Sequence, residues 1–150
     1  MTYDSRPETL KHIAKVQALI TEIILRLHAR ATQHDASKLE SPEVEVFDEF
    51  TPRLAASTYG SDEYKGFLAS MKPALDHHYA ANRHHPEHFA EGIQGMNLVD
   101  LVEMLADWKA ATLRHANGDI RKSIEINQKR FGYSDELKRL FINTIEAMGW

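Results

Sequence analysis

Cysteine is absent from this 150-residue sequence, which excludes disulfides and every thiolate metal site. Any metal must therefore be held by His, Asp, Glu or water. No apolar run approaches the ~20 residues that cross a bilayer, and the N-terminus lacks a basic-then-apolar leader pattern, so a cytoplasmic protein without a membrane partner is expected. Basic excess is missing too. With Lys+Arg 18 against Asp+Glu 22, the formal charge of -4 gives no footprint for a nucleic-acid duplex. A small phosphorylated substrate needs only a local basic cluster and stays open. No stretch alternates convincingly as a strand, and there is no internal repeat or low-complexity tract. The length is that of one domain with a real core, and a hydrophobic share of 43% suits a globular protein.

What is present reads as helix. Ser5-Arg6-Pro7-Glu8 has the form of a helix start. Behind it Ile13, Val16, Leu19, Ile20, Ile23, Ile24 and Leu27 make one broad apolar face, with His12 at its edge. Ser41-Pro42-Glu43 opens a second helix, expected to stop near Thr51-Pro52, and a loop follows around residues 57–62. A helix from about Asp62 to His85, kinked at Pro73, comes next. Asn97, with Asp100 in the reciprocal position, caps a helix running to about His115. Its apolar side is Leu98, Leu101, Val102, Leu105 and Trp108, while Asp100, Glu103, Asp107 and Arg114 read as a solvated face. Asp119 caps a helix that Gly132 ends. Ser134 caps the last, whose buried side is Leu137, Leu140, Phe141 and Ile145. The expectation is an all-α protein, one compact helical domain over residues 1–150 with about six helices.

The chemistry concentrates on histidine. There are nine, and five lie close together as His77, His78, His84, His85 and His88. His34-Asp35 places an imidazole beside a carboxylate, and the two can reach one cation if the chain turns there. Phe67, Met71 and Leu75 share a face that continues to His78, Asn82 and His85, leaving His77 and His84 pointing elsewhere. Each feature has a plainer reading: a surface turn, a surface histidine cluster, or a core-edge histidine bonded to a carbonyl. His12 faces a geometric objection, because an unbroken helix would put it roughly 33 Å from His34. The two can share a metal only if the chain reverses, most plausibly within residues 22–29.

In order, His12, His34-Asp35 and the Asp107 of Ala106-Asp107 resemble the H…HD…D series of HD-domain metal-dependent phosphohydrolases. His34-Asp35-Ala36-Ser37-Lys38 is similar to that family's HD-x-(S/G)-K variant. His78 and His85 are similar to the extra histidines of its two-metal members. At closer range, Arg30…His34-Asp35-x-Ser37-Lys38, His78…Asn82-x-His84-His85-Pro86-Glu87 and Glu103-Met104…Asp107-Trp108-Lys109-Ala110 resemble a family of small uncharacterised bacterial and phage proteins. The resemblance implies one or two divalent ions (Mn, Fe, Co, Ni, Zn or Mg). His12, His34, Asp35 and Asp107 would hold the first, with Asp35 able to bridge, and His78 with His85 the second. Asp35 and Lys38 would be the catalytic pair. Arg30, Lys38, Asn82, Lys109 and Arg130 would contact substrate.

The implied function is hydrolysis of a nucleotide or other small phosphate ester by metal-activated water. Two readings compete. One is a di-iron oxygenase of the same superfamily, and the other a non-enzymatic helical partner-binding protein with a structural metal. A homodimer built on the last helix and Trp150 is also open.

Overall fold

A computed structural model describes residues 3–57, 61–114 and 117–150. All regular structure among them is helical: seven α-helices and three short 3-10 turns. The chain divides into two compact units, residues 1–33 and 34–150.

The first unit is a single helix, α1 (Arg6–Gln33). The Asp4 carboxylate accepts from the Arg6 backbone N–H at its start, and Pro7 occupies an early position where its missing N–H costs nothing. No Gly or Pro interrupts the next 26 residues, and the helix runs unbroken through residues 22–29. The reversal that would let His12 share an ion with His34 is therefore absent. None of α1's residues is buried, His12 included.

The second unit holds α2 (Glu43–Ala56), α3 (Asp62–Ser70), α4 (Lys72–Ala81), α5 (Leu98–Thr112), α6 (Ile120–Phe131) and α7 (Asp135–Met148). Several boundaries differ from expectation for local reasons. Helix α2 continues through Pro52, which removes one backbone bond without ending the helix. Its N-cap is Pro42, not Ser41, and no side chain caps it. The long helix expected over 62–85 is two helices broken at Met71, since Pro73 supplies no N–H for the carbonyl four residues back and is tolerated only in a new first turn. Helix α4 then stops at Ala81. The Asn82 side chain and backbone both donate to the His78 carbonyl while its own backbone turns extended. Of the loop expected at 57–62, residues 58–60 lie outside the described residues, as does His115.

The capping expectations at α5, α6 and α7 hold. Asn97 and Asp100 form a capping box, Asp119 accepts from the N–H groups of Arg121 and Lys122, and Ser134 accepts from Leu137 N–H. Gly132 ends α6 at φ 65, a left-handed conformation that glycine adopts without steric cost.

The core lies between α5, α6 and α7, with Met104, Leu105, Ile124, Phe141 and Ile145 at its centre. The Trp108 ring stacks on Phe131 and Tyr133 and meets Phe141 edge-on. Three residues expected inside are out: Leu98 is 74%, Val102 49% and Leu140 59% exposed. They border an apolar groove between α5 and α7 that also includes Met148 and Trp150. Part of the solvated face expected on α5 is covered, with Asp100 fully buried and Glu103 nearly so, while Arg114 just beyond the helix is exposed.

Candidate metal centre

Residue 35 sets the geometry. Asp35 is the only non-glycine described with a positive φ, 56°, a left-handed conformation that Asp and Asn tolerate better than most residues. It leads into the 3-10 turn Ala36–Leu39, whose three-residue period brings Lys38 directly over it. Lys38 Nζ donates to Asp35 Oδ2 at 2.6 Å.

The two carboxylate oxygens of Asp35 face different donors. Oδ1 is 3.4 Å from His78 Nε2 and 3.4 Å from His84 Nε2. His85 Nε2 completes that group, 2.9 Å from His78 Nε2. Oδ2 is 3.6 Å from His34 Nε2, which in turn is 3.6 Å from Asp107 Oδ1. Within each group the donor atoms lie no more than 4.8 Å apart. Four tetrahedral ligands at the usual Zn–N distance would be separated by roughly 3.4 Å, and neighbouring octahedral ones by roughly 3.0 Å. Spacings of 2.9 to 3.6 Å therefore match what a first-row or alkaline-earth divalent ion requires.

A second ring of carboxylates turns the imidazoles inward. Glu43, fully buried, accepts from His78 Nδ1 at 2.9 Å through one oxygen and from His77 Nδ1 at 2.7 Å through the other. Glu103 Oε1 sits 3.0 Å from His34 Nδ1 and 3.1 Å from His84 Nδ1, the first a hydrogen bond, the second not aligned for one. With Nδ1 so occupied, Nε2 of His34 and His78 is the nitrogen presented to the centre. Carboxylate-backed histidine is the usual outer arrangement of metal sites.

Three buried polar atoms argue most strongly that the cluster suits a cation. Asp35 Oδ1, His84 Nδ1 and His84 Nε2 are buried without a hydrogen-bond partner, a costly condition that a bound cation relieves. The donor set, imidazole and carboxylate without sulfur, fits such an ion.

Charge is poised unevenly across the cluster. The Asp107 and Glu103 carboxylates raise His34 to about 10, so in the metal-free protein it carries a proton. Burial, reinforced by His84 and His78, lowers His85 to about 3, and burial also lowers His78. Burial pushes Asp35 and Asp107 upward, but Lys38 and His34 for the first, and His34 and His84 for the second, hold both carboxyls below their ordinary range.

A family model described as a family of unknown function (DUF5662) matches residues 1–148. The chain belongs to that family. No curated protein and no solved structure matches it.

In this DUF5662 chain, His34, Asp35, His78, His85 and Asp107 are brought together, and Lys38 stands over them. His12 belongs to α1 in the other unit and to none of the donor groups found among the described residues. Arg30 also belongs to α1. Asn82 is held in the wall, donating to Ser37 Oγ at 2.8 Å and to the His78 carbonyl. Arg130 pairs with Glu87 at 2.7 Å and lies beside Tyr79, whose ring packs 5.0 Å from that of His85. Lys109, two residues beyond Asp107, is turned roughly 160° round α5 from it.

Three residues of the cluster are not among those expected from the sequence. His84 was placed on the wrong side because helical register was carried past Ala81, where α4 ends; the adjacent His84-His85 was its available signal. Glu103, one helical step before Asp107, was assigned to the solvated face. Glu43 gave no signal beyond its place in a first turn.

No described helix is long and apolar enough to cross a membrane.

Proposed function

We propose that this protein is a metal-dependent phosphohydrolase acting on a small phosphate ester, with a nucleotide as the preferred substrate class. The observation that carries the reading is Asp35, whose two oxygens face separate donor groups while Oδ1 has no hydrogen-bond partner. A carboxylate so placed suits a bridge between two cations. Divalent ions held there would supply Lewis-acid polarisation of a phosphoryl oxygen and a water acidic enough to attack phosphorus.

The chain's own residues do the rest. His34 and Asp107 would hold one ion and His78, His84 and His85 the other. Glu43 and Glu103 fix the rings so that Nε2 faces inward. Lys38, only partly exposed beside Asp35, would neutralise charge that grows on the phosphoryl oxygens, the main demand of phosphoryl transfer. Arg130, beside Tyr79, whose ring packs against that of His85, would be a candidate contact for a remoter phosphate. The preference for a nucleotide rests on the resemblance to HD-domain enzymes.

The test begins with metal content of protein purified without chelator or His-tag, beside Asp35→Ala, followed by a screen of phosphate esters. One to two equivalents of divalent metal, lost in the variant, with release of inorganic phosphate from one substrate class, is the expected result. Iron with substrate-dependent oxygen consumption and no phosphate release would instead identify an oxygenase. Absence of metal, and of stabilisation by any divalent cation, would refute both.

A further inference from the structure

The two donor groups that meet at Asp35 differ in number and in kind. Asp35, His78, His84 and His85 offer three imidazole nitrogens and one carboxylate oxygen, whereas His34, Asp35 and Asp107 offer one nitrogen and two carboxylate oxygens. Four protein ligands close a tetrahedral shell, and three leave a position open. Imidazole suits ions such as Zn, Fe and Ni, while carboxylate and water suit Mg and Mn. Mg in particular keeps several waters and takes one or two carboxylates besides the phosphate oxygens of a substrate.

The unmet demand for a cation lies in the four-donor group. Asp35 Oδ1 has no hydrogen-bond partner, and neither has either ring nitrogen of His84, which is 1% exposed. Oδ1 lies 3.4 Å from His78 Nε2 and 3.4 Å from His84 Nε2. Three elements that pack on one another, α2, α4 and the 3-10 turn Ala36–Leu39, supply Glu43, His78 and the turn behind Asp35, all within the second unit. Buried polar atoms left unpaired destabilise the metal-free fold, so an ion among these four donors recovers the most.

The other oxygen is differently placed. Asp35 Oδ2 already accepts from Lys38 Nζ at 2.6 Å. An ion entering among His34, Asp35 and Asp107 meets a resident positive charge at one of the oxygens it needs, and its binding is weakened by that repulsion.

We propose that the two groups hold different ions. The three-histidine group takes one Zn, Fe, Co or Ni ion first and tightly, and the His34–Asp35–Asp107 group takes a weaker, exchangeable Mg or Mn ion with positions left for water and a phosphoryl oxygen. The inference rests on the two-ion reading of Asp35 and adds which group fills first, with which class of ion, and on which side of Asp35 substrate binds.

The experiment uses the full chain, stripped with a chelator, and Co(II) as the probe. The first equivalent is expected to survive dialysis and to show the intense visible absorption of a four-coordinate ion. A second equivalent is expected to add little colour, to be lost on dialysis and to be displaced by excess Mg or Mn. Asp107→Asn should keep the first, coloured equivalent and lose the second. His84→Gln should weaken the first by more than about 100-fold, beyond the loss that removal of an outer partner causes. Circular dichroism establishes that each variant folds, and His85→Gln is read in place of His84→Gln should the latter fail. Loss of the coloured equivalent in Asp107→Asn, with its retention in the histidine variant, overturns the proposal while the two-ion reading stands. Two equivalents of equal affinity and colour do the same. Protein that binds one equivalent or none overturns the two-ion reading as well.

Discussion

Replacing Glu43 with Gln would test whether the outer carboxylates orient the metal ligands. Both oxygens of Glu43 are used, one by His78 Nδ1 and one by His77 Nδ1, in a site from which water is excluded. Glutamine keeps the shape but has one acceptor and one donor. Two N–H donors cannot both be satisfied by it, so one imidazole must move its proton or turn away. His77 is 47% exposed and can bond to water, whereas His78 is buried.

If the amide presents its N–H to His78, the imidazole proton moves to Nε2, the atom that faces Asp35. The ring then no longer offers a lone pair to a cation. Loss of such an outer partner weakens metal affinity by about 10- to 100-fold, equivalent to about 1.4 to 2.7 kcal/mol. Competition against a chelator of known affinity reads this directly, with circular dichroism to establish that the fold is kept. His77→Ala, which leaves Glu43 free to serve His78 alone, should change affinity by less than about threefold. Equal affinity for Glu43→Gln and the natural protein would refute the orienting role. A comparable loss in His77→Ala would show that the effect comes from general disturbance of the pocket.

Metal uptake at pH 8 should release close to one proton, because His34, raised to about 10, is protonated in the metal-free protein whereas an ordinary histidine is not. Calorimetry in buffers of different ionisation enthalpy measures this, and affinity should rise about tenfold per pH unit from pH 7 to pH 9; a flat profile contradicts the assignment. His85, lowered to about 3, acts with the opposite sign: the unfolded chain takes up its proton first, so the stability it contributes is present above about pH 6.5 and is lost as pH falls toward 3. Denaturant titrations of metal-free natural protein and His85→Gln should converge as pH drops through that window. Lys38→Met should lower turnover of the phosphate ester by about 100-fold with metal content unchanged, and loss of metal in that variant would give Lys38 a structural role instead. Ile124→Ala, in the fully buried centre of the core, should cost about 2 to 4 kcal/mol in urea unfolding while the folded fraction still binds metal.

Helix type and capping were legible because their signals are local. The Asn97–Asp100 box and the Asp119 and Ser134 caps require only neighbours in sequence. Facing is a tertiary property, and on α5 the structure departs from the local pattern. Polarity on α5 suggests a face in water, yet Asp100 is neutralised by Arg83, at 3.1 Å, and Glu103 by histidines from distant segments. Charge that finds partners of the opposite sign can be buried, and those partners cannot be identified from one helix. Meanwhile Leu98 and Val102 took the outward positions. His78 and His85 do not share one helical face: His85 arrives through the turn after Asn82, closed by the His85 N–H to Asn82 carbonyl bond, and the same departure from the helix brings His84 in. At His34-Asp35 no long-range information was needed, since the turn that aims the pair lies within the motif itself.

Trp108 adjoins Asp107 on α5 and is stacked against Phe131 and Tyr133, and Trp150 is the only other indole in the chain. The helix that carries the candidate ligand Asp107 thus has its own fluorophore one residue away. With Trp150→Phe as background, emission from Trp108 becomes a label-free optical reading of the site. Paramagnetic ions such as Mn, Fe, Co or Ni would darken it, whereas closed-shell Zn or Mg would leave its intensity and shift only its colour. A cuvette titration could then sort candidate ions before any substrate is known.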